Sequence, residues 1–333
     1  MHLPQLPARL TQIDLLKGLA ILAVLALHTL TADQLADSAA RFTIGQAVPV
    51  FVVLMGLNAT ASLWRHRQAS PRELYTRAYV ISRLQRLYLP FLIILAASTV
   101  IAAAKGVLTP GGVVSGLLTG TLPYSGPGNY FITFAFQFAI VFPLIFWAYQ
   151  RRPRTVVVAC FALAAAVELA APHAPGLATY TYSAMLLRFL PFIAVGMLLA
   201  DRMFHARPVP AWWWAAGAGS VVYLVAVTVD ANVIEIAQTG WRQLGQTFLD
   251  AFYPLLLVAA GLRFLPRSGW RLLAALGVAS YEIFLVQILW FGLFDAQHVV
   301  WFPVSVAACC ALGWLLHRGL ARVPLLTRRM ASA

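Results

Sequence analysis

The first apolar stretch of the chain contains three ionisable side chains, Asp14, Lys17 and His28. Ionisable groups are costly in a bilayer, so each needs a structural or functional reason. Lys17 and His28 are eleven residues apart, which on an α-helix is about 16 Å of rise and three turns, so they share one face. A neutral imidazole can take a proton from an attacking hydroxyl. The spacing therefore predicts a cation at the inner mouth of a helix and an imidazole, capable of such chemistry, about three turns deeper.

A structural interpretation of the same residues remains open. Asp14 and Lys17 are three residues apart, a spacing that allows an ion pair at the helix end. His28 could be a hydrogen-bonded histidine at the membrane interface. The spacing alone does not decide between these interpretations.

Arg83 and Arg86 form a second candidate group, at the start of the third apolar stretch. At i,i+3 on an α-helix they are adjacent on one face. Two neighbouring guanidinium groups repel each other unless an anion joins them, and a phosphate fits this arrangement. The alternative is that both arginines anchor the loop to lipid headgroups.

Glu282 lies in a late apolar stretch, and its expected partner is an arginine or lysine on a facing helix. A structural ion pair and a catalytic role both remain open for it. Glu168, Asp250 and Arg188 fall in the outer half or the middle of other stretches. They either line an outer cavity or pair with one another, and Arg188 with Glu168 is the expected pair.

These residues belong to a chain whose composition is that of a membrane protein. Of its 333 residues 61% are hydrophobic and 11% are charged, whereas soluble domains are nearer half apolar and a quarter charged. The net charge of +13 sits in short clusters between apolar stretches, which is typical of membrane topology, and no nucleic-acid-binding motif is visible. The three cysteines lie in apolar runs without metal or disulfide spacing, so we expect buried thiols and no metal site.

About ten transmembrane helices are predicted, in an all-α polytopic bundle with both termini cytoplasmic. The predicted spans are 13–32, 43–64, 87–107, 130–149, 155–171, 181–200, 210–229, 244–262, 272–294 and 301–317. With the N-terminus inside, the cytoplasmic loops hold 18 of the 24 lysines and arginines, as the positive-inside rule requires. The first stretch has no cleavage site after it and should be retained as a helix.

The rest of the chain adds one short apolar piece and no second domain. Residues 112–122 are apolar but too few to span, inside a segment rich in glycine and proline. We expect a re-entrant or interfacial segment over an outer cavity. Residues 1–333 are predicted to form a single membrane domain.

In these motifs the chain resembles the membrane acyltransferase family 3, whose members are often sugar O-acetyltransferases. The similarity covers the whole chain in order. It rests on Asp14, Lys17, Gly18 and His28, on Arg83 and Arg86, on Gln137 with Pro143 and Leu144, and on Gly277, Ser280 and Tyr281. Four departures concern the substrate subclass: Lys17 stands for the commoner arginine, Met55 for a serine, Ala135 and Phe136 where many members have glutamate just before Gln137, and Gln287 where many have histidine.

The resemblance implies a membrane acyltransferase that uses acyl-CoA, with acetyl-CoA expected, as donor substrate and a glycan or lipid-linked sugar hydroxyl as acceptor. Lys17, Arg83 and Arg86 would then bind the CoA phosphates, and His28 would be the general base. Asp14 and Glu282 are the further catalytic candidates. The resemblance implies no permanently bound cofactor, and the expected location is the cell inner membrane.

Two other functional classes remain open. Buried polar residues also suit a transporter or flippase for a lipid-linked glycan or small anion, which would favour inverted repeats and broken helices. No convincing repeat is visible in the sequence. A non-catalytic membrane scaffold is the third alternative.

Overall fold

A computed structural model describes residues 10–37, 40–66, 70–173, 179–229, 251–294 and 301–322, and these are helical without a strand. The predicted all-α class is confirmed. Both chain termini and Asp250 lie outside the described residues, so the predicted cytoplasmic placement of the termini stays a prediction.

The described helices, in chain order, are α1 (Thr11–Thr29), α2 (Ala32–Asp37), α3 (Ala47–Leu63), α4 (Pro71–Leu74), α5 (Arg77–Arg83), α6 (Leu89–Ala104), α7 (Pro110–Thr119), α8 (Tyr130–Arg151), α9 (Pro153–Ala170), α10 (Thr179–Ala184), α11 (Leu186–Phe204), α12 (Ala211–Val229), α13 (Phe252–Phe264), α14 (Arg271–Val278), α15 (Ser280–Leu293) and α16 (Phe302–Ala321). A π-helical segment, Leu84–Tyr88, joins α5 to α6. Local signals start several of them. The Thr76 and Thr109 side chains cap α5 and α7, and Pro153 begins α9, where its missing N–H is not needed.

Seven helical stretches of the described chain are long and apolar enough to cross a membrane, and the pair α14–α15 makes an eighth if it counts as one span. This confirms a multi-pass membrane protein. The predicted spans 210–229 and 244–262 correspond to the shorter helices α12 and α13. The count of ten therefore stays a prediction.

The predicted span 272–294 is not one straight helix, because α14 and α15 meet at a bend of 72°, and its crossing of the membrane as a single span stays a prediction. The helix path leaves α-helical geometry at Ala279, with φ −89° and ψ 11°. Next to the bend, α14 lies directly on α1: a Cβ at Gly277 would overlap the carbonyl oxygen of Asp14, and one at Gly18 would overlap that of Leu273. The two backbones can approach this closely because a glycine without a side chain stands at each contact. This contact holds α14 on a different axis from α15.

Helix α7, within the short apolar piece at 112–122, folds back along α6, and its position over an outer cavity stays a prediction. The Tyr88 hydroxyl donates to the carbonyl oxygen of Leu117 at 2.9 Å, and Gly116 lies against the Leu95 side chain. Gly120, at φ +84°, ends the helix in the left-handed region. With ten residues α7 cannot span, and it packs beside α6 and α8 instead.

Close helix packing forms the centre of the bundle. Gly56 of α3 meets the backbone of Ile193, and Gly196 of α11 meets the backbone of Val53, so α3 and α11 cross with almost no side chain between them. The side chain of Gln137 in α8 joins α10 to α11: its Nε2 donates to Ala184 O at 3.1 Å and its Oε1 accepts from Leu186 N at 2.9 Å.

The expectation of buried thiols holds for two of the three cysteines. Cys160 and Cys309 are buried, whereas Cys310 is half-buried. They therefore behave as small apolar side chains of the helix interfaces.

Candidate active site

Helix α1 is continuous from Thr11 to Thr29, so Lys17 and His28 lie on one face, about three turns apart. Between them on that face are Ile21 and Val24, which are fully buried. Both ionisable residues are half-buried. The face that joins them therefore points into the protein rather than into lipid, and in this structure Ile21 and Val24 fill the space along it.

The His28 imidazole lies beside the Phe291 ring of α15, with ring centroids 5.8 Å apart. Neither of its nitrogens has a hydrogen-bond partner among the described residues. The alternative of a histidine fixed by a structural hydrogen bond is therefore not the arrangement in the described part of the chain. A partly exposed imidazole with a free nitrogen can meet a substrate hydroxyl.

The segment before α8 packs on α15 near His28. Gly126 N donates to Ile288 O at 2.8 Å, and the Tyr124 hydroxyl donates to Gly292 O. Gln287, the residue that departs from the family pattern, is fully buried. Its Nε2 is 3.5 Å from Pro127 O, whereas its Oε1 has no partner among the described residues. The loop therefore covers the part of α15 that carries Phe291.

The bend between α14 and α15 lies between the Asp14 region of α1 and the segment that carries the arginines. Asp14 is buried and its backbone contacts Gly277, next to the bend. Just past the bend, the Tyr281 hydroxyl donates to the carbonyl oxygen of Leu87 at 3.1 Å. Leu87 follows Arg86 in the chain. The structure thus connects the Asp14 region of α1, the start of α15 and the arginine segment.

The arginine pair has a backbone geometry that the sequence did not predict. Arg83 is the last residue of α5, but Arg86 lies within the π-helical segment Leu84–Tyr88. A π-turn holds more residues than an α-turn, so a separation of three covers a smaller part of a turn than the predicted α-helix would give. The two positions are therefore further apart around the helix axis than two α-helical neighbours, and such segments occur often at functional sites.

The two arginines also have different surroundings. The Arg83 guanidinium lies 4.8 Å from the centre of the Tyr79 ring, and its buried Nε has no hydrogen-bond partner among the described residues. Arg86 is exposed. Arg83 therefore carries a buried donor without an acceptor, which is unusual without a ligand or water.

Glu282 is paired with a residue that the sequence analysis missed. Its Oε1 is 3.0 Å from Nδ1 of His317 in α16, so the expectation of an arginine or lysine partner is wrong. The only sequence signal for His317 is its position in the last apolar stretch beside Arg318. A carboxylate at Nδ1 fixes the tautomer of an imidazole and stabilises its protonated form.

The predicted pair of Arg188 and Glu168 is confirmed, with Arg188 Nε 3.0 Å from Glu168 Oε1. The Tyr182 hydroxyl donates to the other carboxylate oxygen. The guanidinium lies over the Tyr182 ring at 3.9 Å from its centre. This cluster lies at the end of α9 and the start of α11, the outer end in the predicted topology.

An apolar helical bundle with buried ionisable residues defines a polytopic membrane protein with a polar intramembrane site. The family model for the acyltransferase domain of acyltransferase family 3 matches residues 10–318, nearly the whole chain. The chain therefore belongs to this family and is a membrane acyltransferase. Neither the curated proteins nor the solved structures include a significant match.

Proposed function

We propose that the protein transfers an acyl group, expected to be acetyl, from cytoplasmic acyl-CoA to a hydroxyl of a carbohydrate-type acceptor at the cell inner membrane. The supporting observation is the interior face of α1, which carries Lys17 near one end and His28, with free ring nitrogens among the described residues, near the other.

The donor would enter at the inner mouth. CoA is a polyanion, and Lys17, Arg83 and Arg86 supply cations there. The buried Arg83 Nε, without an acceptor in the described chain, supports binding of a phosphate oxygen. The pantetheine arm is long and thin, and the distance of about 16 Å between Lys17 and His28 suits its reach. Since Ile21 and Val24 are packed between these two residues, donor binding must displace side chains along this face.

At His28 the chemistry is an acyl transfer with general-base catalysis. The imidazole takes the proton of the acceptor hydroxyl while its oxygen forms a bond to the thioester carbonyl carbon. The C–S bond then breaks, and the imidazolium returns the proton to the CoA thiolate, giving an ester and free CoA. A positioned base contributes about 10²–10⁴ in rate, and proximity of the two substrates supplies much of the remainder.

Asp14 and Glu282 act in this proposal through other groups. The buried Asp14 lies one turn from Lys17 and touches α14, so it positions the inner mouth. Glu282 holds the His317 imidazole, so its effect on catalysis passes through that ring. Both are positioning residues here, because neither lies beside His28 on the face of α1.

The alternative function is a transporter or flippase for a lipid-linked glycan or small anion. The 72° break between α14 and α15 favours it, because discontinuous helices that carry polar residues often form transport sites. Such a protein would move its substrate intact and would release no CoA.

Purified protein in nanodiscs, incubated with labelled acetyl-CoA and a panel of glycans, tests both functions. Wild type should transfer label and release CoA, and His28→Ala should abolish both while retaining the thermal unfolding temperature of wild type. The matched control is His173→Ala, since His173 is an exposed histidine just past α9. Full activity of His28→Ala would show that His28 is not the general base. In vesicles, movement of an intact glycan without CoA release would select the transporter.

A further inference from the structure

The Arg188 side chain has more hydrogen-bond donors than its contact with Glu168 uses. A guanidinium group has five N–H donors, and the structure commits Nε to Glu168. The two terminal nitrogens have no carboxylate or carbonyl acceptor among the described residues. The Arg188 side chain is 29% exposed, whereas the Glu168 side chain is 5% exposed. Arg188 is therefore the more accessible partner of the pair.

Glu168 fixes the guanidinium and has little capacity left for a ligand. One carboxylate oxygen accepts from Arg188 and the other accepts from the Tyr182 hydroxyl. Although the ion pair is neutral as a whole, its negative end is buried and its positive end is partly exposed. The nearer charge dominates at short range, so a group that approaches from the open side meets a positive potential.

The cluster lies at the same end of the bundle as His28. Thr133, in the first turn of α8, has its hydroxyl 2.8 Å from that of Tyr180, which lies two residues before Tyr182 of the cluster. On its other side the start of α8 continues into the loop that packs on α15 beside Phe291, the ring that His28 contacts. The first turn of α8 therefore connects the Arg188 cluster to the surroundings of His28.

We propose that Arg188, held by Glu168 and Tyr182, binds an oxyanion of the acceptor, so that the preferred acceptors are acidic carbohydrates. A planar guanidinium matches the two oxygens of a carboxylate or phosphate. The ion pair and the ring contact hold it in one orientation before the ligand arrives, which lowers the cost of binding. This inference rests on the proposed function, because it describes how the hydroxyl-bearing substrate is recognised.

The test is equilibrium binding of three probes to the full chain in nanodiscs: methyl glucuronide, glucose 1-phosphate and methyl glucoside. At least one anionic probe should bind about ten- to a hundredfold more tightly than the neutral glucoside, the range of a charge-assisted hydrogen-bonded pair. A preference for the glucuronide identifies a carboxylate, and a preference for the phosphate identifies a phosphate. Equal binding of all three probes overturns the proposal.

The variants separate binding from folding. Arg188→Lys keeps the positive charge but loses the planar guanidinium with its paired N–H donors. This variant should lose most of the preference for the anionic probe. The double variant Arg188→Gln/Glu168→Gln removes both charges, leaves no unpaired carboxylate, and should bind all three probes alike. Arg151→Gln is the control, because the Arg151 guanidinium also lies over an aromatic ring, that of Trp147 at 4.2 Å, but at the opposite end of α8.

Anion preference retained in the double variant would make the pair structural and overturn the proposal. Binding does not require acyl transfer, so the result is independent of the test of the proposed function. In transfer assays the Arg188 variants should raise the KM for the anionic acceptor and leave the KM for acetyl-CoA unchanged. A changed KM for acetyl-CoA alone would also overturn the proposal.

Discussion

Glu282 in α15 and His317 in α16 form a hydrogen-bonded pair, with Oε1 and Nδ1 3.0 Å apart. An ionised carboxylate can only accept, so with Glu282 ionised the donor is Nδ1–H of His317. Glu282 is mostly buried and lies in the first turn of α15, where the helix dipole favours its negative charge. The pair therefore ties α16 to the start of α15, next to the 72° bend that also contacts α1.

We expect His317→Ala to destabilise the protein by about 1–3 kcal/mol, the cost of leaving a buried carboxylate without its partner. The double variant Glu282→Gln/His317→Ala should recover part of this loss, because a neutral amide is less costly to bury than a charge. Thermal or denaturant unfolding in detergent measures both. No recovery in the double variant would show that the His317 ring is needed for packing rather than for the pair.

Gly277→Ala should destabilise the protein by about 1–3 kcal/mol, because the added Cβ overlaps the Asp14 carbonyl and overpacks the contact between α14 and α1. The control is Gly219→Ala in α12, where nothing lies within 4 Å of the new Cβ. That variant should be neutral, or more stable by about 0.5–1 kcal/mol, since alanine is the better helix former. Equal unfolding temperatures of the two variants would contradict the close contact.

The sequence predicted the helices and their order because both depend on quantities summed over many residues. The length of an apolar stretch predicts whether it can span a membrane, and clusters of arginine predict the inner loops. The Arg188–Glu168 pair was also predictable, since two opposite charges in the outer parts of apolar spans have few other partners.

The bend at Ala279 and the π-helical segment depend on single backbone contacts. The hydropathy pattern of the sequence contains no information about such contacts. No proline marks Ala279, and the close approach of Gly277 to Asp14 is visible only when α1 and α14 are placed together. The π-turn has a local cause that the sequence does contain. Pro90 has no N–H, and its ring would clash with the Arg86 carbonyl in α-helical register. The wider turn relieves that clash. Because proline is common at helix starts, Pro90 alone did not predict the π-turn.

Arg83→Ala should weaken binding of acetyl-CoA about tenfold or more, the loss expected for one charge-assisted contact to a phosphate. Arg72→Ala is the control, because Arg72 is an exposed arginine of the same inner loop. Equilibrium binding of labelled acetyl-CoA in nanodiscs compares the two. Equal affinity would assign Arg83 to lipid anchoring, the interpretation that explains the other arginines of this loop.

The path of the donor along α1 can be tested at Val24, one turn from His28 and fully buried on the face that it shares with Lys17. If the pantetheine arm passes along this face, Val24→Phe should abolish transfer without changing either ionisable residue, since the ring fills the space that the arm needs. Overpacking by itself costs about 1–3 kcal/mol, so unfolding must be measured in parallel. Leu19→Phe is the control, because Leu19 is exposed on the opposite, outward surface of α1. A well-folded Val24→Phe variant with wild-type kcat/KM for acetyl-CoA would place the donor elsewhere, and His28 would then need another route to the thioester.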